Sequence, residues 1–233
     1  MLPPNFRRSG NTSLFVFREN YEPELDYLYQ TVTEGDVFID AGANCGIYTL
    51  LASCLVGNSG LVLSFEPGVE SFNTIQQNLK LNHLSNVRLF KTALSDHTGT
   101  AHLYHIDNAP SSYSLGSGTD PAVESETVDV TTLDAILTAQ GIETVDFIKM
   151  DVEGAEELVL KGAYSTIEKM RPKILFEVGL ETCERLNLAS DGAFNFLNQL
   201  DYTFFKIKHT GELVEIASPQ GIRGNILAIS KSS

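Results

Sequence analysis

The sequence predicts a doubly wound α/β fold with a mostly parallel sheet. Short apolar runs with the length of buried strands alternate along the chain with segments whose apolar residues recur at helical spacing. Near the start, a strand, a glycine-containing loop and a helix follow one another, as they do where open α/β folds bind nucleotides. The runs predicted as the first five strands are 37–39, 61–65, 87–90, 146–150 and 173–178, and later strands are predicted at 202–208 and 225–230.

The segment 35–46, GDVFIDAGANCG, is the most informative part of the chain. An apolar run ends at Asp40, and Gly42 and Gly46 then let the backbone turn sharply and approach a ligand. Asn44 tolerates a left-handed backbone and suits the same turn. The glycine spacing is G-x-x-x-G rather than the dinucleotide fingerprint G-x-G-x-x-G, which argues against NAD.

This loop resembles the first motif of S-adenosylmethionine (SAM) methyltransferases, and the string DAGANCGIYTL resembles the FkbM family in particular. Further similar strings follow in the family's order: FEPGVESFNTIQQNLKLN, NVRLFKTALSD, SSYS, TLD, DFIKMDVEGAEELVLKGA and ILFEV. They cover roughly residues 20–180, and such an ordered set is far more specific than one glycine loop. The resemblance implies a Rossmann-like class I methyltransferase domain. Its seven-stranded sheet would have an antiparallel edge and an insertion between the third and fourth strands.

The resemblance also implies that SAM is the cofactor and indicates which residues hold it. Glu66 follows the second strand, where one carboxylate can accept hydrogen bonds from both ribose hydroxyls. Asp40 lies beside the loop, where a carboxylate can help to hold the methionine ammonium, although a strand-end cap is the alternative. Leu94 is either an adenine contact or a core residue. The remaining residues expected to line the cofactor are Gly42, Ala43, Asn44, Gly46, Pro67 and Ala93.

Two candidates for the chemical step, Asp151 and Glu153, follow the predicted fourth strand, the edge at which this fold places the substrate. Asp151 is the first candidate for a general base, and His105 and Glu153 come next. His102 and His105 are three positions apart on a predicted strand, so their side chains point to opposite faces and cannot both be ligands. The alternative for each histidine is a solvent-facing or hydrogen-bonded side chain.

Glu177 ends the fifth strand, and we expect it to converge with Asp151 and Glu153 on one pocket. Such carboxylates are suited to bind a magnesium ion, although a pocket that holds protons or substrate hydroxyls is the favoured interpretation. Glu156 and Glu157 are interpreted as complementing the positive end of the helix that follows.

Two further segments are predicted to cover the site. Residues 1–34 should form an N-terminal helical cap, with a helix at 21–34 that leads into the first strand. Residues 95–131 are too long for an ordinary connection and are expected to recognise the substrate, with short strands at 99–106 and 125–133. The residues in it whose hydroxyls suit a polar substrate, unless they belong to an ordinary flexible loop, are Ser111, Ser112 and Tyr113.

Composition limits the partners and the compartment. The chain has 233 residues, 42% of them hydrophobic, and no Pro/Gly/Ser-rich linker, so a single domain over 1–233 is expected. A net charge of -14 with scattered basic residues argues against nucleic acid and against an anionic membrane surface. The first residues lack the apolar core of a signal peptide and no run of 18 apolar residues occurs, so a soluble cytoplasmic enzyme is expected. Three cysteines without metal-ligand spacing are expected to be free thiols.

The resemblance as a whole implies a SAM-dependent O-methyltransferase that acts on a hydroxyl of a small molecule, such as a sugar or a secondary metabolite. An N-methyltransferase or an enzyme of this fold that uses another nucleotide is the alternative of the same class. A SAM-binding module without turnover is the alternative of another class, although the intact loop and Glu66 argue against a degenerate site. The acceptor, the metal requirement and the oligomeric state do not follow from the sequence.

Overall fold

A computed structural model describes residues 22–105, 113–115, 125–218 and 221–231 of the chain. The strands in these residues are β1 (Val37–Ala41), β2 (Leu61–Phe65), β3 (Val87–Phe90), β4 (Ala93–Leu94), β5 (Gly99–His105), β6 (Tyr113–Leu115), β7 (Ser125–Thr131), β8 (Phe147–Met150), β9 (Lys173–Val178), β10 (Tyr202–Ile207), β11 (Leu213–Ile216) and β12 (Gly224–Ser230). The helices are α1 (Pro23–Thr31), α2 (Ile47–Val56), α3 (Val69–Leu81), α4 (Leu133–Gln140), α5 (Glu156–Gly162), α6 (Tyr164–Met170), α7 (Leu180–Arg185) and α8 (Gly192–Gln199).

Parallel strands form the centre of the main sheet, whose order is β11-β10-β12-β9-β8-β1-β2-β3. From β1 the chain adds β2 and then β3 on one side, and it later adds β8 and β9 on the other, all in parallel. Beyond β9, the strands β12, β10 and β11 pair antiparallel with their neighbours. The predicted doubly wound sheet with an antiparallel edge is therefore confirmed, and its winding reverses between β1 and β8.

Within the described residues the main sheet already has eight strands, so the predicted number of seven is wrong. The additional strand is β11, which is four residues long and pairs with β10 at the outer edge. Val214 and Glu215 are adjacent in this strand and both are exposed. The strand therefore has neither the alternation nor the continuous apolar run by which a strand is recognised in a sequence.

The connection between β3 and β8 forms a second sheet, in the order β4-β7-β5-β6, followed by α4. β5 and β7 pair antiparallel and confirm the strands predicted at 99–106 and 125–133. β4 and β6 contain only two and three residues, which is too short for a periodic signal. The side chain of Thr132 accepts a hydrogen bond from the Ala135 N–H and caps α4, so the second predicted strand ends before this residue.

Alternate residues of the central strands enter two separate cores. On one face, Phe38 and Phe147 stack with ring centroids 5.2 Å apart, in a core that α1 and α2 complete. On the other face, Ile39 and Ile148 pack in a core that includes residues of α5 and α8. Because both faces of the sheet are buried, the central strands have continuous apolar runs in the sequence.

Helix α1 confirms the helix predicted at 21–34 and packs on α2 through the buried residues Leu25 and Leu28. Pro23 occupies its first turn, where a missing N–H costs nothing, and extended backbone at Val32 ends it. Residues 1–21 of the predicted cap lie outside the described residues. No helix in the described part of the chain is long and apolar enough to cross a membrane.

Candidate functional site

The carboxyl ends of β1, β2, β8 and β9 lie at the edge of the sheet where the winding reverses, the position at which open α/β folds bind ligands. In the strand register, Asp40 of β1 lies between Ser64 of β2 and Lys149 of β8. Glu66 and Asp151 directly follow β2 and β8. The fold therefore brings the predicted cofactor acids beside the predicted catalytic acid.

The glycine loop turns tightly between the ends of β1, β2 and β8. Gly42 has a φ of 75°, and a Cβ built on it would lie 2.0 Å from the backbone oxygen of Asp151. The N–H groups of Gly42 and Ala43 both donate to the Phe65 carbonyl, at 3.0 and 3.1 Å. Gly46 has a φ of 88° and begins α2. Glycine is thus required at Gly42 both for backbone conformation and for the close approach of β8.

Glu66 connects the end of β2 to the glycine loop. One carboxylate oxygen accepts a hydrogen bond of 2.7 Å from the Asn44 N–H, and the other accepts one of 2.8 Å from the Gly68 N–H. Asn44 itself is in the left-handed region, with a φ of 51°. Pro67, which lies between Glu66 and Gly68 in the sequence, is partly buried. Glu66 is only 4% exposed, and burial raises the pKa of its carboxyl to about 7, against the opposing effect of the Gly68 and Asn44 N–H groups.

Asp40 is completely buried. Its Oδ2 accepts a hydrogen bond of 2.6 Å from the Thr49 hydroxyl, which also lies 2.8 Å from the Ser64 hydroxyl. Its Oδ1 has no hydrogen-bond partner among the described residues and lies 3.9 Å from Nζ of Lys149. Burial raises the pKa of the Asp40 carboxyl, and the Lys149 charge opposes that rise. Oδ1 is therefore the atom of Asp40 that is available to a further donor.

Lys149 is a buried cation at the centre of the site, and its role was not predicted from the sequence. Its Nζ lies 3.5 Å from Oδ2 of Asp151 and 4.7 Å from the centroid of the Tyr48 ring. The Tyr48 hydroxyl donates a hydrogen bond to the carboxylate of Glu22, which precedes α1. Burial lowers the pKa of the Lys149 ammonium, but the Asp151 and Asp40 charges outweigh burial, and the net effect is a raised pKa. The only sequence signal for this residue is a lysine inside the apolar run FIKM.

Asp151 and Glu177 meet at the ends of β8 and β9, as the sequence predicts. The Asp151 side chain is 43% exposed, and it shares a hydrogen bond with the Glu177 side chain. Burial, the charge of Asp151 and the charges of Glu153 and Glu156 together raise the pKa of the Glu177 carboxyl to about 8. The raised pKa favours the protonated form of Glu177, whose hydroxyl can donate to Asp151. Glu153 has a φ of 53°, so it occupies a sharp turn after β8.

Glu156 lies in the first turn of α5, as predicted, and it is buried there. It is 3% exposed, and its Oε1 accepts hydrogen bonds from the N–H groups of Val152 and Gly154, at 3.1 and 3.4 Å. Burial raises the pKa of its carboxyl to about 7. Glu156 therefore shapes the loop that carries Asp151 and Glu153. Glu157 lies in the first turn of α5, as predicted, is partly buried and pairs with Lys161 at 2.8 Å.

The carboxylates do not form a metal site in the described part of the chain. No group of three or more His, Cys, Asp or Glu side chains in it is arranged so that it could hold a metal ion. The arrangement of these side chains therefore does not support the magnesium ion considered from the sequence.

Ala93 and Leu94 are both buried, at 6% and 2% exposure, in β4. Leu94 belongs to the core cluster on the face of α5, so the structure places its side chain in the core. Their contact with adenine stays a prediction.

The candidates in the second sheet are only partly described. Backbone pairing places His105 of β5 opposite Tyr113 of β6. The side chains of both residues, and all of Ser111 and Ser112, lie outside the described part of the structure. His102 is exposed on β5, as its alternative interpretation predicts.

Comparisons with known proteins show which family the chain resembles. The family model described as methyltransferase FkbM domain matches residues 40–204. Methyltransferase sdnD from Sordaria araneosa is 27% identical over 201 residues, which cover 73% of this chain and 74% of that protein.

Two solved structures share the fold. The crystal structure of methyltransferase FkbM from Methylobacillus flagellatus matches with a TM-score of 0.54 and 18% identity, over 97% of this chain and 56% of that chain. The chain thus spans little more than half of that longer protein. A Streptococcus mutans protein crystallised in complex with S-adenosylhomocysteine (SAH) matches with a TM-score of 0.51 and 12% identity, over 88% of this chain and 93% of that one. Since the family model covers most of the chain, including the glycine loop and the ends of β2, β8 and β9, this chain belongs to the methyltransferase FkbM family.

Proposed function

We propose that this chain transfers the methyl group of SAM to a hydroxyl oxygen of a small molecule, such as a sugar or a secondary metabolite. One observation carries the proposal: the glycine loop held by Glu66 adjoins a solvent-accessible carboxylate, Asp151, at the end of the neighbouring strand. Family membership supports methyl transfer, and the SAH complex of the S. mutans protein, which has the same fold, supports the cofactor.

The residues at the strand ends fit SAM. Gly42 keeps the loop free of a side chain where the backbone must turn against β8. Each oxygen of Glu66 accepts one loop N–H and retains a second lone pair, which suits the two ribose hydroxyls. Oδ1 of Asp40, which has no donor in the described residues, is suited to the methionine ammonium. When bound, SAM supplies a methyl group that its sulfonium has already activated for displacement.

The protein then has two tasks, which are to align the acceptor and to remove its proton. Alignment of the acceptor oxygen supplies much of the acceleration, and a general base adds about 10²- to 10⁴-fold. Asp151 has the required exposure, and the hydrogen bond from Glu177 orients its carboxylate. We assign Asp151 as the base, with Glu153 and His105 as the next candidates.

The acceptor is proposed to bind between this carboxylate pair and the insertion at 95–131. Asp151 and Glu177 accept hydrogen bonds from hydroxyls, and the negative charge of the Asp151 carboxylate disfavours anionic acceptors. Ser111, Ser112 and Tyr113 in the insertion add hydroxyls that suit a polar acceptor.

Calorimetric titration followed by an acceptor screen tests this function. The chain should bind SAM and SAH but not NAD, and incubation with SAM should add one methyl group to a hydroxyl acceptor, detected by mass spectrometry. The panel should include sugars, hydroxylated secondary metabolites and matched amines. Methylation confined to amines would make the enzyme an N-methyltransferase, and binding of SAM without turnover on any acceptor would make it a SAM-binding module.

A further inference from the structure

A single buried ammonium, that of Lys149, links the two halves of the site. Its side chain is 5% exposed and extends from β8 between Asp40, which is fully buried, and Asp151, which is 43% exposed. An ammonium removed from water must be compensated by neighbouring charge or by hydrogen bonds. Its surroundings therefore indicate what the residue does.

Several elements contribute charged or titratable groups around Lys149, including Glu66 after β2 and Cys45 in the glycine loop. Asp40 lies on β1, Asp151 follows β8, Tyr48 lies on α2 and Glu22 precedes α1. The Tyr48 ring lies 4.7 Å below the ammonium and supports it through a cation–π contact, while its hydroxyl is held by Glu22. The position of the ammonium is thus fixed from the side of α1 and α2.

The distances favour Asp151 over Asp40 as the direct partner. Nζ lies 3.5 Å from Asp151 Oδ2 and 3.9 Å from Asp40 Oδ1. If Lys149 served only to neutralise Asp40, its ammonium would be expected closer to Asp40 than to Asp151. Asp151 is exposed enough to be solvated without a cation. A general base must hold its carboxylate in the one orientation that accepts the proton. A neighbour that restrains the side chain favours the reaction, because free rotation would lower the population of that orientation.

We propose that Lys149 is a positioning residue, whose ammonium, anchored by Asp40 and Tyr48, holds the Asp151 carboxylate in the orientation that receives the acceptor's proton. This inference rests on the proposed function of Asp151. It also ties the acceptor side of the site to the end of β1, where the glycine loop begins, because Asp40 is the last residue but one of that strand.

Kinetics of five variants test the proposal. Lys149→Met should lower kcat by about 10- to 100-fold, because the Asp151 carboxylate would no longer be held in its reactive orientation. The dissociation constant of SAM should change by less than about threefold, because Lys149 acts on Asp151 and not on the cofactor. Lys149→Arg, which keeps the charge, should recover part of the loss. Lys149→Met combined with Asp151→Asn should be no slower than Asp151→Asn alone. Lys161→Met removes a lysine–carboxylate pair of 2.8 Å on the surface and should leave kcat unchanged.

A merely structural lysine gives a different pattern. SAM affinity, thermal stability and kcat would then fall together in Lys149→Met, and the losses of the two single variants would multiply in the double variant. Either result overturns the proposal. Lys149→Gln, which keeps a polar side chain but removes the charge, replaces Lys149→Met throughout if that variant does not fold.

A urea-unfolding cycle on the same variants needs no transfer assay. The double variant of Lys149 and Asp151 should be less destabilised than the sum of the single variants, and additive losses would reject the link between the two residues. If wild-type chain transfers no methyl group, the proposed function fails and this cycle alone decides whether Lys149 holds Asp151.

Discussion

The backbone N–H of Asn44 donates a hydrogen bond of 2.7 Å to the Glu66 carboxylate and so ties the glycine loop to the end of β2. The other oxygen of Glu66 holds the Gly68 N–H. The acid proposed for the cofactor ribose therefore also builds the loop that faces the cofactor. Loss of this one side chain should affect both the shape of the site and its contacts.

Glu66→Ala should weaken SAM binding by about 1.5 to 3 kcal/mol, the range for hydrogen bonds to a charged group. Calorimetric titration of wild type and variant measures the difference. Glu66→Gln, which keeps the shape but loses the charge and half of the acceptor capacity, should fall between them. SAM affinity equal to that of wild type in Glu66→Ala would remove Glu66 from the cofactor site.

Gly42→Ala should destabilise the fold by more than about 2 kcal/mol, because the new Cβ would meet the Asp151 carbonyl and a φ of 75° is strained for alanine. Urea unfolding measures this change, and Gly42→Val should be worse. Gly99→Ala is the matched control, since the nearest atom to its Cβ is 3.8 Å away, in the His97 ring, and should cost little. A Gly42→Ala chain as stable as Gly99→Ala, with normal SAM binding, would refute this account of the loop.

Asp151→Asn should leave folding nearly intact and lower turnover by about 10²-fold or more, because an amide keeps the shape of the side chain but cannot take the acceptor's proton. Turnover is measured by the mass of the methylated acceptor. Asp201→Asn is the control, since this exposed residue has a φ of 58° that asparagine also tolerates. Full turnover in Asp151→Asn would show that Asp151 is not the general base, and His105 would be the next residue to test.

Glu177 should make the folded state less stable as the pH rises. Its carboxyl has a pKa of about 8 in the folded protein against an ordinary value of 4.5, so the folded state binds the proton more tightly. The resulting stabilisation is complete below pH 4.5 and is lost as the pH rises through about 8. Urea unfolding at several pH values in this window should show a smaller decrease for Glu177→Gln than for wild type.

The exposed residue Glu143 supplies the control for this pH dependence. Glu143→Gln should have the same pH dependence as wild type. Identical pH profiles for Glu177→Gln and wild type would mean that Glu177 is not the protonated partner of Asp151.

Much of the fold is predictable from the sequence because the signals are local. The central strands are buried on both faces, so each one appears as a continuous apolar run, and the loop after β1 needs glycine at a position with positive φ. The edge strand β11 is not predictable in this way, because its middle residues Val214 and Glu215 are exposed and only pairing with β10 makes it a strand.

The sequence by itself determined the glycine loop, the acids that follow the strands and, through the order of its motifs, the FkbM family. Only the tertiary structure decided how the charges are paired. Lys149 lies opposite Asp40 because β8 pairs with β1, and Glu156 is buried because the loop after β8 folds back onto it. Pairing between strands far apart in the chain depends on the register of the whole sheet, which no local pattern records.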